Sequence, residues 1–265
     1  MSTNLRPCVL VVEDEPDMNN LLADVLSAFD FEPIRALDGH QALDLLADRR
    51  PDIVLLDLML PGISGYEVCR RLKTSRETHA IPVLILTALE QPPDRRAAFL
   101  AGADDYMTKP FVPDVLADRL QACLAAAGPG TGADGEARFV CEPTGAPEDP
   151  KCLNRFTTAL YNRTDLPPVK IEALRQQVMT VVDAAGAWAS AHGGAAGIRL
   201  TMTLNTDRFR VVFEPLADDA EAILAKHLSP DATVPDALVD AGAIDQTLSR
   251  DRRVVMEKAL RPQEE

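Results

Sequence analysis

Apolar residues in the first half of this chain come in short unbroken runs. Ile53-Val54-Leu55-Leu56 leads straight into Asp57 and then into the turn Pro61-Gly62-Ile63-Ser64-Gly65. Pro7-Cys8-Val9-Leu10-Val11-Val12 leads into Glu13-Asp14-Glu15, and Pro82-Val83-Leu84-Ile85-Leu86 ends in the hydroxyl of Thr87. Runs without alternation suit strands covered on both faces, as in a parallel sheet. The segments between them change period. Met18, Leu21, Leu22, Val25, Leu26 and Phe29 share one helical face, as do Val112, Val115, Leu116, Leu120, Cys123 and Leu124 near residue 120. Shorter helices are predicted around Ala42–Leu46, Val68–Leu72 and Pro93–Ala101, and short strands over Glu32–Arg35 and before Lys109-Pro110. The alternation βαβαβαβαβα predicts an α/β fold with a five-stranded parallel sheet, right-handed crossovers and helices on both faces.

The second half reads differently. Gly128 to Gly135 and Pro143 to Pro150 are rich in breakers, so residues 128–150 are expected to be a linker, with a short strand at Arg138–Cys141. Lys151–Asn162 and Val169–His192 predict two helices, the longer bearing Ile171, Leu174, Val178, Val181, Val182 and Ala185 on one side. Ile198–Leu204 and Phe209–Phe213 alternate across Asn205-Thr206-Asp207 and predict a hairpin. Ala217–Leu228, Asp236–Leu248 and Asp251–Leu260 read as three further short helices. The domain plan is therefore 1–127, a linker over 128–150, and 151–265 as a smaller α/β or mostly helical domain.

Charge narrows the functions. The net charge is −14, and residues 131–265 carry 15 Lys+Arg against 21 Asp+Glu, a balance of −6. A basic footprint for nucleic acid or an anionic membrane is missing. No apolar run is long enough to span a bilayer, and the first residues lack the regions of a signal peptide. Five cysteines without C-x-x-C spacing argue against a zinc site or a disulfide framework and for a cytoplasmic setting.

In a parallel sheet all carboxyl ends share one edge, where open α/β sheets bind ligands. Glu13, Asp14, Asp57, Thr87 and Lys109 would converge there. Three close carboxylates repel one another unless a cation neutralises them. Mg²⁺ fits, because it accepts few carboxylates and keeps water and phosphate oxygens. Lysine and threonine can hold phosphoryl oxygens, and an aspartate beside the metal can attack phosphorus to form an acyl phosphate. The residues point to phosphoryl transfer onto Asp57.

Residues 7–127 resemble a response-regulator receiver domain of two-component signalling. The resemblance rests on Val-Val-Glu13-Asp14-Glu15-Pro16, Leu-Leu-Asp57-Leu-Met-Leu-Pro61-Gly-Ile-Ser-Gly65, Ile-Leu-Thr87-Ala88 and Ala-Gly102-Ala-Asp-Asp-Tyr106-Met-Thr-Lys109-Pro110-Phe111. It implies a flavodoxin-like (βα)5 fold with Asp57 as phosphoacceptor. Asp14, Asp57 and the Met59 backbone carbonyl would bind Mg²⁺, with Glu13 acting through water. Thr87 and Lys109 would hold the phosphoryl group, and Lys109–Pro110 would be cis. Tyr106 would turn inward as Thr87 moves. A cognate histidine kinase or phosphotransfer protein would be the donor. The output would pass to a protein partner, or to a homodimer through the face of the fourth helix, fifth strand and fifth helix. Catalysis would be limited to the chain's own phosphorylation and dephosphorylation. A DNA-binding regulator and an output enzyme with an unfamiliar site are the alternatives.

Residues 151–265 resemble the histidine-kinase-type ATPase fold in its anti-sigma-factor kinase branch. The family's asparagine four residues before His-Gly is Trp188 here, before His192-Gly193. Its acidic-x-Gly motif is replaced by Glu214-Pro215-Leu216. Both departures remove groups that would hold Mg²⁺–ATP, so no nucleotide binding is expected.

Overall fold

The first apolar run forms β1 (Cys8–Val12), and the Asp57 run forms β3 (Ile53–Leu56) beside it in parallel. These are strands of a computed structural model that describes residues 6–127, 137–146, 149–164, 166–205, 208–228, 244, 246–250 and 252–260. The chain divides into two compact units, Met1–Gly128 and Pro129–Glu265.

The first unit alternates without interruption. After β1 come α1 (Pro16–Ala28), β2 (Glu32–Ala36), α2 (Gly39–Asp48), β3, α3 (Gly65–Thr74), β4 (Val83–Thr87), α4 (Pro92–Leu100), β5 (Asp105–Thr108) and α5 (Pro113–Ala127). The strand order is β2-β1-β3-β4-β5, all parallel. Chain direction reverses its winding between β1 and β3, which opens a crevice at their carboxyl ends. Val9 to Val12, Ile53 to Leu56 and Val83 to Thr87 are all buried, as expected of strands sandwiched between helix layers. Each face has its own apolar layer. One holds Leu10, Val12, Val54, Leu56, Val83 and Ile85, and the other Val9, Val11, Ile53, Leu55, Leu84 and Leu86. Strand alternation sends neighbouring side chains to opposite layers.

Local signals set the helix ends. Asp38 accepts from the Gln41 amide and Ser64 from the Glu67 amide, each capping a helix N-terminus. Pro16 and Pro92 sit in first turns, where no amide hydrogen is missed. In α1 the expected apolar face is rotated slightly. Leu21 is half exposed, and Asn19 takes a fully buried place.

The second unit is a five-stranded antiparallel sheet covered by helices. Its elements are β6 (Ala137–Cys141), α6 (Pro150–Arg163), α7 (Pro168–Ala191), β7 (Ile198–Leu204), β8 (Arg208–Pro215), α8 (Glu221–Leu228), β9 (Gln246–Arg250) and β10 (Arg253–Ala259), in strand order β6-β7-β8-β10-β9. Every second residue of β7 and β8 is buried, among them Leu200, Met202, Val211 and Phe213. They pack with Phe156 of α6 and with Ile171, Val178 and Val182 of α7.

Three sequence readings change here. The segment 251–260, expected to be helical, contains β10, paired antiparallel with β8 from Val254↔Phe213 to Ala259↔Arg208. A short apolar run such as Val254-Val255-Met256 suits either state, and strand pairing decides it. Val254 and Met256 are buried while Val255 is not, a period of two. The helix expected over 236–248 lies mostly outside the described residues, and Gln246 to Leu248 form part of β9. The helix expected from Ala217 begins at Glu221. Residues 128–136 of the expected linker lie outside the described residues. Within that segment, β6 is an edge strand of the second sheet.

Candidate functional site

The carboxyl ends of β1, β3, β4 and β5 carry the chemistry. Glu13 and Asp14 follow β1, Asp57 follows β3, Thr87 ends β4, and Lys109 follows β5. Ligand oxygens of Glu13, Asp14 and Asp57 lie within 4.8 Å of one another, close enough to share one cation. Glu13 and Asp57 are buried while Asp14 is exposed at the rim.

Lys109 bridges the two buried acids. Its Nζ donates to Glu13 Oε2 at 2.6 Å and to Asp57 Oδ2 at 2.6 Å. The other Asp57 oxygen, Oδ1, accepts from the Met59 amide at 3.1 Å. Burial would lower the Lys109 pKa, but the hydrogen bonds to Asp57 and Glu13 outweigh it and hold the ammonium above its usual range. Burial raises the Glu13 carboxyl despite the Lys109 contact, and the nearby Asp57 and Asp14 charges add to the rise. With all groups ionised, three carboxylates and one ammonium sum to −2, the charge one divalent cation would neutralise. The donor set is all oxygen, as Mg²⁺ requires. Thr87 is fully buried, and its Oγ1 has no hydrogen-bond partner among the described residues. A buried hydroxyl without a partner is costly, and an incoming oxygen ligand would satisfy it. These residues therefore fit a divalent cation together with an oxyanion.

The backbone holds this arrangement from several sides. The Lys109 amide donates to the Thr87 carbonyl at 2.8 Å, and the Lys109–Pro110 bond is cis. The Asp57 amide donates to the Val12 carbonyl at 3.0 Å. A Cβ on Gly65 would stand 2.1 Å from the Asp57 carbonyl oxygen, so only glycine lets the loop close over Asp57. Met59, two residues beyond Asp57, turns its side chain to solvent.

Tyr106 faces inward. It is 3 % exposed, and its hydroxyl donates to the Leu89 carbonyl at 2.8 Å. Its ring lies 6.5 Å from Phe99, with the Arg95 guanidinium 5.8 Å from its centre. Burial, with the nearby Tyr66, pushes the phenol up to about 12.

Two positioning residues escape a reading of periodicity. Asn19 Nδ2 donates to the carbonyls of Glu13 at 2.9 Å and Ala36 at 2.8 Å, pinning the acidic loop to α1. The signal was a lone polar residue on an apolar helical face. Lys73 Nζ meets Asp104 at 2.7 Å and the Ile81 carbonyl at 2.9 Å, tying α3 to the β4 and β5 entries. Nothing in the spacing of 73 and 104 announces that pair.

In the second unit Trp188 is half-buried and stacks on His192 with ring centres 4.1 Å apart. Trp188 also fills the space a side chain at Gly197 would need. Glu214 is paired with Arg253 and Arg199. Both positions expected to depart from an ATPase pattern are thus engaged by protein groups.

The first unit is a doubly wound domain of the flavodoxin-like class, with an acid–lysine pocket at the winding reversal. Residues 9–121 match the response regulator receiver domain family, and this segment is a receiver domain of two-component signalling. Over 122 residues the chain is 43% identical to the phosphate regulon transcriptional regulatory protein PhoB of Pseudomonas aeruginosa, covering 46% of this chain and 53% of that one. It is 40% identical over 118 residues to the DNA-binding dual master transcriptional regulator RpaA of Synechocystis, covering 44% and 49%. The match thus spans about half the length of these relatives. The BeF3-activated N-terminal receiver domain of Klebsiella pneumoniae RstA is 35% identical with a TM-score of 0.42, covering 44% of this chain and 97% of that one. No helix among the described residues is long and apolar enough to cross a membrane.

Proposed function

We propose that this protein is a response regulator that accepts a phosphoryl group on Asp57 and passes the signal through protein contacts of its second unit. The observation that carries this is the meeting of Glu13, Asp14, Asp57, Thr87 and Lys109 at one sheet edge, with Thr87 Oγ1 buried and without a hydrogen-bond partner among the described residues. Asp14, Asp57, the Met59 carbonyl and Glu13 would hold Mg²⁺, which when bound screens the charge of acids and phosphate alike. Asp57 Oδ would attack phosphorus of a phosphohistidine on a kinase or phosphotransfer protein. The oxygen–phosphorus bond forms as the nitrogen–phosphorus bond breaks, and the leaving imidazole takes up a proton. Lys109 would exchange its contact with Asp57 for a phosphoryl oxygen, and the Thr87 hydroxyl would donate to another. The Tyr106 ring is already inward with Thr87 in place, so Thr87 moving onto the phosphoryl group would act through that ring on the α4–β5–α5 face. That face would then meet a partner or a second copy.

Acetyl phosphate and Mg²⁺ supplied to the full chain test this. Mass spectrometry should find one phosphoryl group on Asp57, absent without Mg²⁺ and absent from Asp57→Asn. Unmodified Asp57 under those conditions would overturn the reading.

A second reading is DNA binding, favoured by the names of the relatives. The −6 balance of residues 131–265 opposes it, since specific duplex binding rests on phosphate neutralisation. A gel shift that weakens steeply with salt would establish it and displace the protein-contact output.

A further inference from the structure

Cys141 and Cys152 lie eleven positions apart and belong to no motif, yet the fold brings their thiols together. Cys141 is the last residue of β6 and is buried in the second core. Cys152 is the third residue of α6, half-buried against the same core. Cys152 Sγ donates to the carbonyl of Val140, the residue before Cys141, at 3.3 Å, and Cys141 Sγ donates to the carbonyl of Asp149, three residues before Cys152, at 3.7 Å. The turn between them is braced, because the Asp149 carboxylate accepts from the amides of Thr144 at 3.1 Å and Gly145 at 2.8 Å. Two thiols that each reach across to the other's segment, at a strand end, a braced turn and a helix start, are positioned for a covalent bond.

We propose that Cys141 and Cys152 form a peroxide-sensitive dithiol pair, which closes to a disulfide tying β6 to the start of α6. The roles within the pair are unequal. The contact with Cys141 holds the Cys152 thiol below its ordinary range; burial opposes this and Arg155 reinforces it. A place in the first turn of a helix favours the thiolate as well. The contact with Cys152 and burial push the Cys141 thiol up. Cys152 is therefore the attacking sulfur and Cys141 the resolving one. The Cys152 thiolate attacks one oxygen of hydrogen peroxide. The oxygen–oxygen bond breaks, a sulfur–oxygen bond forms, and the released hydroxide takes a proton to leave as water. Cys141 sulfur then attacks Cys152 sulfur. The sulfur–sulfur bond forms, hydroxide leaves, and it carries off the Cys141 proton as a second water. Two thiols are oxidised and one peroxide is reduced to two waters.

The reaction can be followed on the unmutated full chain. The folded protein is exposed to hydrogen peroxide, blocked with N-ethylmaleimide and digested with trypsin. Cleavage after Arg138, Lys151 and Arg155 separates the two cysteines. The expected product is a peptide pair, 139–151 joined to 152–155, that dithiothreitol splits. Cys8, whose thiol burial raises, should remain open to the maleimide. In Cys141→Ser the crosslink disappears and Cys152 becomes a sulfenic acid that dimedone traps. In Cys152→Ser neither product forms. Recovery of both thiols as maleimide adducts from peroxide-treated native protein would overturn the pair. Dimedone labelling of Cys141 in Cys152→Ser would reverse the assignment of the attacking sulfur.

Discussion

Replacing Lys109 with methionine isolates the electrostatics of the pocket. The ammonium is the only cation paired with Glu13 and Asp57 among the described residues, at 2.6 Å to each. The three side chains are 16%, 4% and 7% exposed, so solvent screens the pair far less than it does a surface bridge. Methionine keeps the length and loses the charge, leaving two buried carboxylates facing one another. Removing one partner of a buried ion pair costs about 3–5 kcal/mol. The lower end applies here, because protonation of Glu13, already favoured by its burial, offers an escape. The first unit should lose about 3 kcal/mol, roughly a 10 °C fall in its melting temperature for a unit of this size. Mg²⁺ should reverse much of the loss. A cation at 100 times its dissociation constant stabilises by about 2.7 kcal/mol, and without a competing ammonium it should bind more tightly. Urea unfolding of wild type and Lys109→Met, each with EDTA and with saturating Mg²⁺, measures all four corners. A loss below about 1 kcal/mol in EDTA would refute the reasoning. So would a loss that Mg²⁺ leaves unchanged, since it would mean the lysine acts by packing and not by charge.

Other outcomes follow from single features. Lys73→Met should destabilise the first unit by about 3 kcal/mol in urea, because Asp104 would stay near-buried without its ammonium partner. Gly65→Ala should lower the rate of Asp57 phosphorylation by acetyl phosphate, since the new Cβ must displace the Asp57 carbonyl that now lies 2.1 Å from its place. Unchanged phosphorylation would show that the loop yields without moving the acid. Tyr106 has a folded pKa raised to about 12, so its contribution to stability is complete below the ordinary value of 10 and declines between about pH 10 and 12. Tyr106→Phe should flatten that part of the stability–pH curve in urea titrations. Phe156→Ala should cost the second unit about 3–5 kcal/mol, as Phe156 is fully buried between Phe139 and Phe209.

The first unit was legible in the sequence because its signals are local and repeat. Unbroken apolar runs such as Ile53–Leu56 mark strands covered on both faces, and the helical stripes between them force parallel crossovers. That topology alone gathers Glu13, Asp14, Asp57, Thr87 and Lys109 at one edge, whatever the details of packing. Tertiary structure decided what depends on distant partners. Asn19 is a polar residue on an apolar face until the carbonyls of Glu13 and Ala36 arrive to satisfy it. Lys73 and Asp104 are ordinary surface types until α3 and β5 bring them to 2.7 Å. Val254-Val255-Met256 suits a helix or a strand by itself, and only the edge of β8 selects the strand. Cys141 and Cys152 carry no spacing signal, and it is the packing of α6 on β6 that brings each thiol to a carbonyl of the other's segment. Periodicity records which face of an element is buried, whereas the partner that buries it is a property of the folded chain.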